Sequence, residues 1–380
     1  MRALPTALLL AGAVASAYRS VRSVQRLRRV EPLRPPAPEV EPAPPVVAVV
    51  PARNEERVID DCVRGLRAQT HGARPGADPL RIVVVDDAST DATGEIVRRH
   101  TARDPRVSVV RTDGPPPGWK GKVHAMHAGV TAAGPGAEGG WLLFVDADVV
   151  LGPEALDRLL ATAAATGADL VSTPAGPPRG RSLSWPLLVP PGVLMIGENA
   201  EPDGKGRKAF AIGHCILVRR AAYEGLGGWA ALRDLRNEDI ALATRVCAHG
   251  GESRLVDAVG LVTTSGMDPW RQGWTSFRKS FVAGTRGSVP VLLGGGVGQI
   301  VLSLAAPAAV LAGRGWVRLG GLAGWAAQGV AHAYAARLMR AEPRFAPLAP
   351  LAGALFGGVL VDGAVRVLRG TSGWKGRPDR

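Results

Sequence analysis

The sequence predicts an α/β fold built on a doubly wound, mostly parallel sheet, and three observations carry that prediction. Short apolar runs alternate with stretches of helical periodicity between residues 46 and 165. The runs are continuous, as in Leu142-Leu143-Phe144-Val145, which is the pattern of strands covered on both faces. Several runs end in polar clusters, and ligands of such sheets bind beyond the carboxyl ends of the strands.

The chain has 380 residues and a formal charge of +13, long enough for one large domain with appendages. Residues 3–18 are almost wholly apolar and are followed by Arg19, Arg22, Arg26, Arg28 and Arg29. Positive charge after the run predicts an uncleaved membrane anchor, residues 1–30 with its basic flank, whose C-terminal side is cytoplasmic. Ala15-Ser16-Ala17 resembles a signal-peptidase site, so cleavage is the alternative. Residues 31–45 carry Pro32, Pro35, Pro36, Pro38, Pro42, Pro44 and Pro45 and read as a stiff linker. The domain that follows is expected over residues 46–267. Strands are expected at 46–51, 82–85, 107–110 and 142–145. A helix is expected at 55–69 with Val58, Ile59, Cys62 and Leu66 on one face, another at 91–100, and a third at 153–165 with Pro153 in its first turn.

The last third changes character. Residues 268–286 carry Trp270, Trp274, Phe277 and Phe281 at spacings of 4, 3 and 4, one helical face, with Arg271, Arg278 and Lys279 elsewhere. This predicts an amphipathic helix lying in the membrane interface; a helix packed on protein is the alternative. Residues 289–313 are long and apolar enough to span a bilayer. Residues 316–338 are interrupted by Arg318, His332 and Arg337, and residues 345–365 carry Asp362. Two or three spans within 289–366, then a basic tail over 367–380, predict a multi-pass protein of the cell membrane with a cytoplasmic domain. The basic clusters suit an anionic membrane face. No zinc-finger spacing or RNP-like motif points to nucleic acid. Cys62, Cys215 and Cys247 are isolated and suggest neither a metal site nor a disulfide framework.

The chemistry gathers at the strand ends. The first ends in Pro51-Ala52-Arg53-Asn54-Glu55-Glu56, the second in Asp86-Asp87-Ala88-Ser89-Thr90-Asp91, the fourth in Asp146-Ala147-Asp148. Residues i and i+2 of a strand project to one side, so Asp146 and Asp148 can reach one cation; a simple turn is the alternative. A basic loop, Pro116-Pro117-Gly118-Trp119-Lys120-Gly121-Lys122, leads toward that pair. Carboxylates and lysines converging on one edge suit a ligand with a diphosphate and a sugar. Helix capping explains one of Asp86, Asp87 and Asp91, not all three. No G-x-G-x-x-G follows the first strand, which argues against a dinucleotide-binding dehydrogenase.

These motifs, in this order and with Asn237-Glu238-Asp239 after them, resemble the family 2 inverting glycosyltransferases of the GT-A fold, over roughly residues 46–285. The resemblance implies roles. Pro51, Arg53, Glu55, Asp86 and Asp87 would hold the base and ribose of a nucleotide sugar, with Lys122 and Asp146 near the nucleotide. Asp146 and Asp148 match the D-x-D element that holds Mg²⁺ or Mn²⁺ on the diphosphate, Asp148 being the direct ligand. Asp239 matches the catalytic base, with Glu238 beside it. Such a cation stabilises a departing nucleoside diphosphate without a proton donor. For Glu238 and Asp239 the alternative is simple stabilisation of a helix N-terminus.

The loop at 116–122 and Gln272-Gly273-Trp274-Thr275 look similar to membrane enzymes that glycosylate carotenoid acids of the diaponeurosporenoate type and to hopanoid-associated relatives. Gly213, His214, Trp229 and Trp274 would then line the acceptor side; a structural histidine is the other reading of His214. No Q-x-x-R-W follows Asp239, which favours transfer of a single sugar over polymer synthesis. The expected function is transfer of one hexose, from UDP-glucose or a similar donor, to a lipid-like acceptor. If the acceptor is a carboxylate, Asp239 would orient it instead of deprotonating it. The alternatives are a polyprenyl-phosphate sugar transferase and a non-catalytic nucleotide-sugar or lipid-binding membrane protein.

Overall fold

The computed structural model describes residues 3–36, 43–71, 80–135, 139–177, 183–199, 209–235, 237–264, 270–371, 373–374 and 377–378. They fall into two compact units, one of residues 30–176 and 200–265, the other of residues 1–29, 177–199 and 266–380. The chain opens with helix α1 (Ala3–Leu27). The first unit then runs β1 (Glu31–Pro32), β2 (Val46–Ala52), α2 (Ile59–Arg67), β3 (Leu80–Asp87), α3 (Thr93–Thr101) and β4 (Val107–Thr112). It continues through α4 (Gly121–Ala133), β5 (Trp141–Val145), β6 (Val149–Leu151), α5 (Ala155–Thr166) and β7 (Leu170–Thr173). Helix α6 (Ser184–Asn199) belongs to the second unit. The first resumes with β8 (Cys215–Arg219), α7 (Arg220–Gly225), α8 (Glu238–Ala248), β9 (Ser253–Asp257) and β10 (Val262–Thr264). Helices α9 (Trp270–Gly284), α10 (Val289–Ala312), α11 (Trp316–Leu338) and α12 (Ala349–Leu368) follow, then the two-residue strands β11 (Gly373–Trp374) and β12 (Arg377–Pro378).

The sheet has eight strands in the order β1-β9-β7-β8-β5-β2-β3-β4. Strand β8 is antiparallel to β5 and β7, and every other pairing in this sheet is parallel. Its central strands are apolar throughout because both faces are covered. Ala48, Val50, Ile82, Val84, Leu143 and Val145 turn to one side, where Ile59, Val63 and Leu66 of α2 and Leu156 and Leu159 of α5 pack. Their alternates Val49, Val83, Val85, Leu142 and Phe144 face Val123, Met126 and Val130 of α4. Burying one such Leu, Ile or Phe side chain contributes about 1.5–3 kcal/mol. Helix α4 comes so close to the sheet that a Cβ on Gly129 would strike Val49 Cγ1 and lie 3.0 Å from Val85 Cγ2. Gly129→Val is therefore expected to destabilise the fold by about 3 kcal/mol. A thermal melt of the variant no lower than wild type would sink that account.

Several elements depart from the sequence expectation. Helix α2 starts at Ile59, not Glu55, because Asn54 takes a left-handed φ of 53° and residues 55–58 close a turn from Val58 N–H to the Glu55 carbonyl. Glu31 and Pro32, inside the proline-rich stretch, pair with Val256 and Asp257 as an edge strand, and Leu33 is buried in the core. Helix α4 and strand β8 were not foreseen.

In the helical unit, α1 is one member of a bundle. Arg19 donates to both carboxylate oxygens of Glu198 on α6, at 3.1 and 2.8 Å, and to Gln299 Oε1 on α10 at 3.1 Å. The Ala15-Ser16-Ala17 stretch lies mid-helix, where Ser16 is buried and bonded to Gln328 of α11. Helix α9 packs on α12, as in the alternative to the interfacial reading. Its Phe277 and Phe281 pack edge-on against Phe356 of α12, with ring centroids 5.3 and 5.1 Å apart. Trp274 Nε1 and Arg278 Nη1 donate to Asp362 Oδ2 at 3.0 and 2.9 Å. Phe277 is buried by this packing, and Trp270, Trp274 and Phe281 are half-buried. Among the described residues two stretches, Val289–Ala312 and Pro343–Leu368, are long and apolar enough to cross a bilayer, and the stretch at 316–338 is not one of them.

Candidate active site

Four backbone features bring the site together in the first unit. Strand β5 ends at Val145, and Asp146 follows it. Because β8 runs antiparallel with Cys215 opposite Val145, the residues just before β8 sit at that same end, and Asp146 N–H donates to the His214 carbonyl at 3.1 Å. Helix α4 begins there with Lys122 in its first turn, and α8 begins with Glu238 and Asp239. The short pair β6–β10 sets Thr264 opposite Val149, and the Thr264 hydroxyl donates to Asp148 Oδ2 at 3.1 Å.

Lys122 ties these parts together. Its Nζ lies 2.8 Å from Asp146 Oδ1 and 3.0 Å from Glu238 Oε1. A lysine at a helix N-terminus opposes the helix dipole, whereas the two acids opening α8 suit theirs. Burial opposes the Lys122 charge, but the Asp146 and Glu238 carboxylates outweigh that and hold the ammonium well above the usual lysine range. Asp239 Oδ2 accepts Gly213 N–H at 2.9 Å and its Oδ1 accepts Ile240 N–H at 2.8 Å, so the carboxylate is held from two sides. Burial, then the neighbouring Glu238 charge, push the Asp239 carboxyl up to about 7. A group near neutrality is matched to proton transfer. Asp148 is also pushed up, by burial and by the Asp146 charge.

The donor set suits a divalent ion. Burial and then the Asp146 charge oppose ionisation of Asp148, and a cation relieves that repulsion. No cluster of three or more His, Cys, Asp or Glu with the arrangement of a metal site occurs among the described residues. Two carboxylates with phosphate oxygens completing the shell is the usual arrangement for Mg²⁺.

The ends of β2 and β3 form the adjoining wall. Arg53 Nη1 donates to the Asp87 carbonyl at 2.8 Å, and Thr112 Oγ1 donates to Asp87 Oδ1 at 2.9 Å. Asp86 is taken up by its own loop: it accepts Ser89 N–H at 2.9 Å and Arg111 Nη1 at 3.1 Å, and is 1% exposed. Glu55 N–H caps onto Thr93 Oγ1 at 2.8 Å, and Pro51 stands opposite Val85. Of the residues expected on the acceptor side, Gly213 instead supplies the hydrogen bond that fixes Asp239. His214 Nδ1 accepts Ala175 N–H at 3.1 Å, the structural role that was its other reading. Trp229 is fully buried against Phe144 and Tyr223, at centroid distances of 5.0 and 6.0 Å, and cannot touch an acceptor. Trp274 belongs to the helical unit. Thr264 and Ile240 were missed, having no motif to mark them. Cys62 and Cys215 are buried thiols pushed up by that burial, which leaves them inert.

Residues 47–227 match the family model described as glycosyl transferase family 2. The chain carries a family 2 glycosyltransferase domain. It is 27% identical over 222 residues to the succinoglycan biosynthesis protein ExoA of Rhizobium meliloti, covering 56% of this chain and 61% of that one. It is 35% identical over 113 residues to the 4,4'-diaponeurosporenoate glycosyltransferase of Staphylococcus aureus, covering 30% of this chain and 26% of that one. The matches thus span less than two thirds of either relative. Among solved structures, the mannosyltransferase PcManGT from Pyrobaculum calidifontis, in complex with GDP-Man and Mn²⁺, superposes with a TM-score of 0.55 at 20% identity. That match covers 95% of this chain and 99% of that one, and it establishes the shared fold. The matched transferase domain stops short of Glu238 and Asp239, whose place beside Lys122 comes from geometry alone.

Proposed function

We propose that the protein is an inverting glycosyltransferase that moves one hexose from a nucleoside-diphosphate sugar to a lipid-like acceptor at the cytoplasmic membrane face. The observation that carries this reading is the single lysine joining Asp146, at the D-x-D end of β5, to Glu238, next to Asp239 at the start of α8. Donor-side and base-side acids then flank one space. Asp239 takes the proton of the attacking hydroxyl, its lone pairs aimed by the Gly213 and Ile240 amides. Attack from the side opposite the departing diphosphate inverts the anomeric carbon. Pro51, Arg53, Glu55 and Asp87 form the wall for base and ribose. Asp146 and Asp148 would hold Mg²⁺ or Mn²⁺, which when bound stabilises charge on the departing diphosphate.

Support for a lipid-like acceptor comes from the helical unit. Val291, Val297, Val301, Leu311, Leu319 and Val330 point outward, exposed and apolar, as lipid-facing residues do. Multiple membrane passes would follow from Val289–Ala312 and Pro343–Leu368. The test is mass spectrometry of lipids from membranes with and without the protein, supplied with nucleotide hexoses. A new lipid heavier by one hexose is expected. Sugar transferred only to soluble acceptors, with the lipid profile unchanged, would remove the lipid.

A further inference from the structure

We infer that Lys122 is an internal counter-cation for the acidic pair, competing with a divalent ion for Asp146 and crossing to Glu238 when ion and nucleotide arrive together. The inference rests on the transferase reading above and adds a coupling between ion and donor that the reading does not require. Three features carry it. Lys122 Nζ occupies one oxygen of Asp146 at 2.8 Å, so that carboxylate already has a cation on it. A second partner, Glu238, stands 3.0 Å away, so the ammonium can leave Asp146 without losing its ion pair or entering bulk water. Gly213 lets the ammonium sit between these acids: a Cβ there would lie 3.0 Å from Nζ and 3.2 Å from Asp239 Oδ2.

A divalent ion on Asp146 and Asp148 brings positive charge against the ammonium. Without a diphosphate, that repulsion and the lost Lys122–Asp146 pair oppose ion binding. With a diphosphate present, its negative charge offsets both. Ion and nucleotide should therefore bind cooperatively, and the lysine sets the size of that cooperativity.

The test is Mn²⁺ binding to the purified full-length protein, followed by electron paramagnetic resonance, first with Mn²⁺ alone and then with Mn²⁺ plus UDP or GDP. Lys122→Met should bind Mn²⁺ alone on the order of tenfold more tightly than wild type. Lys122→Arg, which keeps the cation, should behave as wild type. Glu238→Gln removes the second partner and should weaken Mn²⁺ binding in the presence of nucleotide, a change of opposite sign. If Lys122→Met fails to fold, the Glu238→Gln arm still decides. Unchanged Mn²⁺ affinity in Lys122→Met, or in Glu238→Gln with nucleotide, overturns the inference and leaves the transferase reading standing. No Mn²⁺ bound by any form with either nucleotide overturns the inference together with the metal-assisted reading of the site.

Discussion

Asp239→Asn is expected to lower turnover by about 10²–10⁴-fold, the span typical of a lost general base, while nucleotide binding stays close to wild type. The carboxylate lies 117 residues beyond Lys122 in sequence but shares its cluster. It accepts two backbone N–H bonds, which fix its orientation and leave proton acceptance as its remaining work. Because burial and Glu238 push this carboxyl up to about 7, wild-type kcat/KM should rise with pH through that value and then level off. The variant should lose that limb together with the rate. Stability moves the other way. A carboxyl whose folded value lies above its ordinary value favours folding most when protonated, and its contribution is lost as pH rises from the ordinary value of 3.8 toward about 7. Melting of Asp239→Asn should therefore gain on wild type between pH 5 and pH 8. Turnover within tenfold of wild type, with the pH limb intact, would assign proton acceptance to another group.

The sheet was legible because its central strands are buried on both faces, so β2, β3 and β5 announce themselves as unbroken apolar runs. Helix α4 was not, because Val123, Ala125, Met126, Gly129 and Ala133 mix small and large residues over a segment whose exposed side is also only weakly polar. The direction of β8 carries no periodic signal at all, yet that direction delivers Gly213 and His214 to the site. The acids and Lys122 could be named from their order along the chain. Their mutual distances could not, since Lys122 reaches Glu238 only through the packing of α4 on the sheet. In α9 the pattern was readable and its occupant was not: an aromatic stripe fits a bilayer and a facing Phe356 equally well. Trp229 illustrates the same ambiguity, a motif residue whose indole fills the core beside Phe144.

Asp148→Asn should reduce turnover on the order of 10³-fold without unfolding the protein. A cation that stabilises a departing diphosphate supplies several kcal/mol to the transition state, and each 1.36 kcal/mol is tenfold in rate. Asn keeps the volume of Asp and retains an oxygen for the Thr264 hydroxyl, so the local packing survives. It removes a buried charge facing Asp146, so the melting temperature should hold or rise. Asp146→Asn differs in kind, because it also strips Lys122 of its 2.8 Å partner and leaves the ammonium on Glu238. The two variants therefore separate the roles of the pair. Asp148→Asn should lose divalent-dependent nucleotide binding and keep its melting temperature, whereas Asp146→Asn should lose both binding and stability. Full turnover in Asp148→Asn at saturating Mn²⁺ would make the D-x-D end of β5 a turn and nothing more.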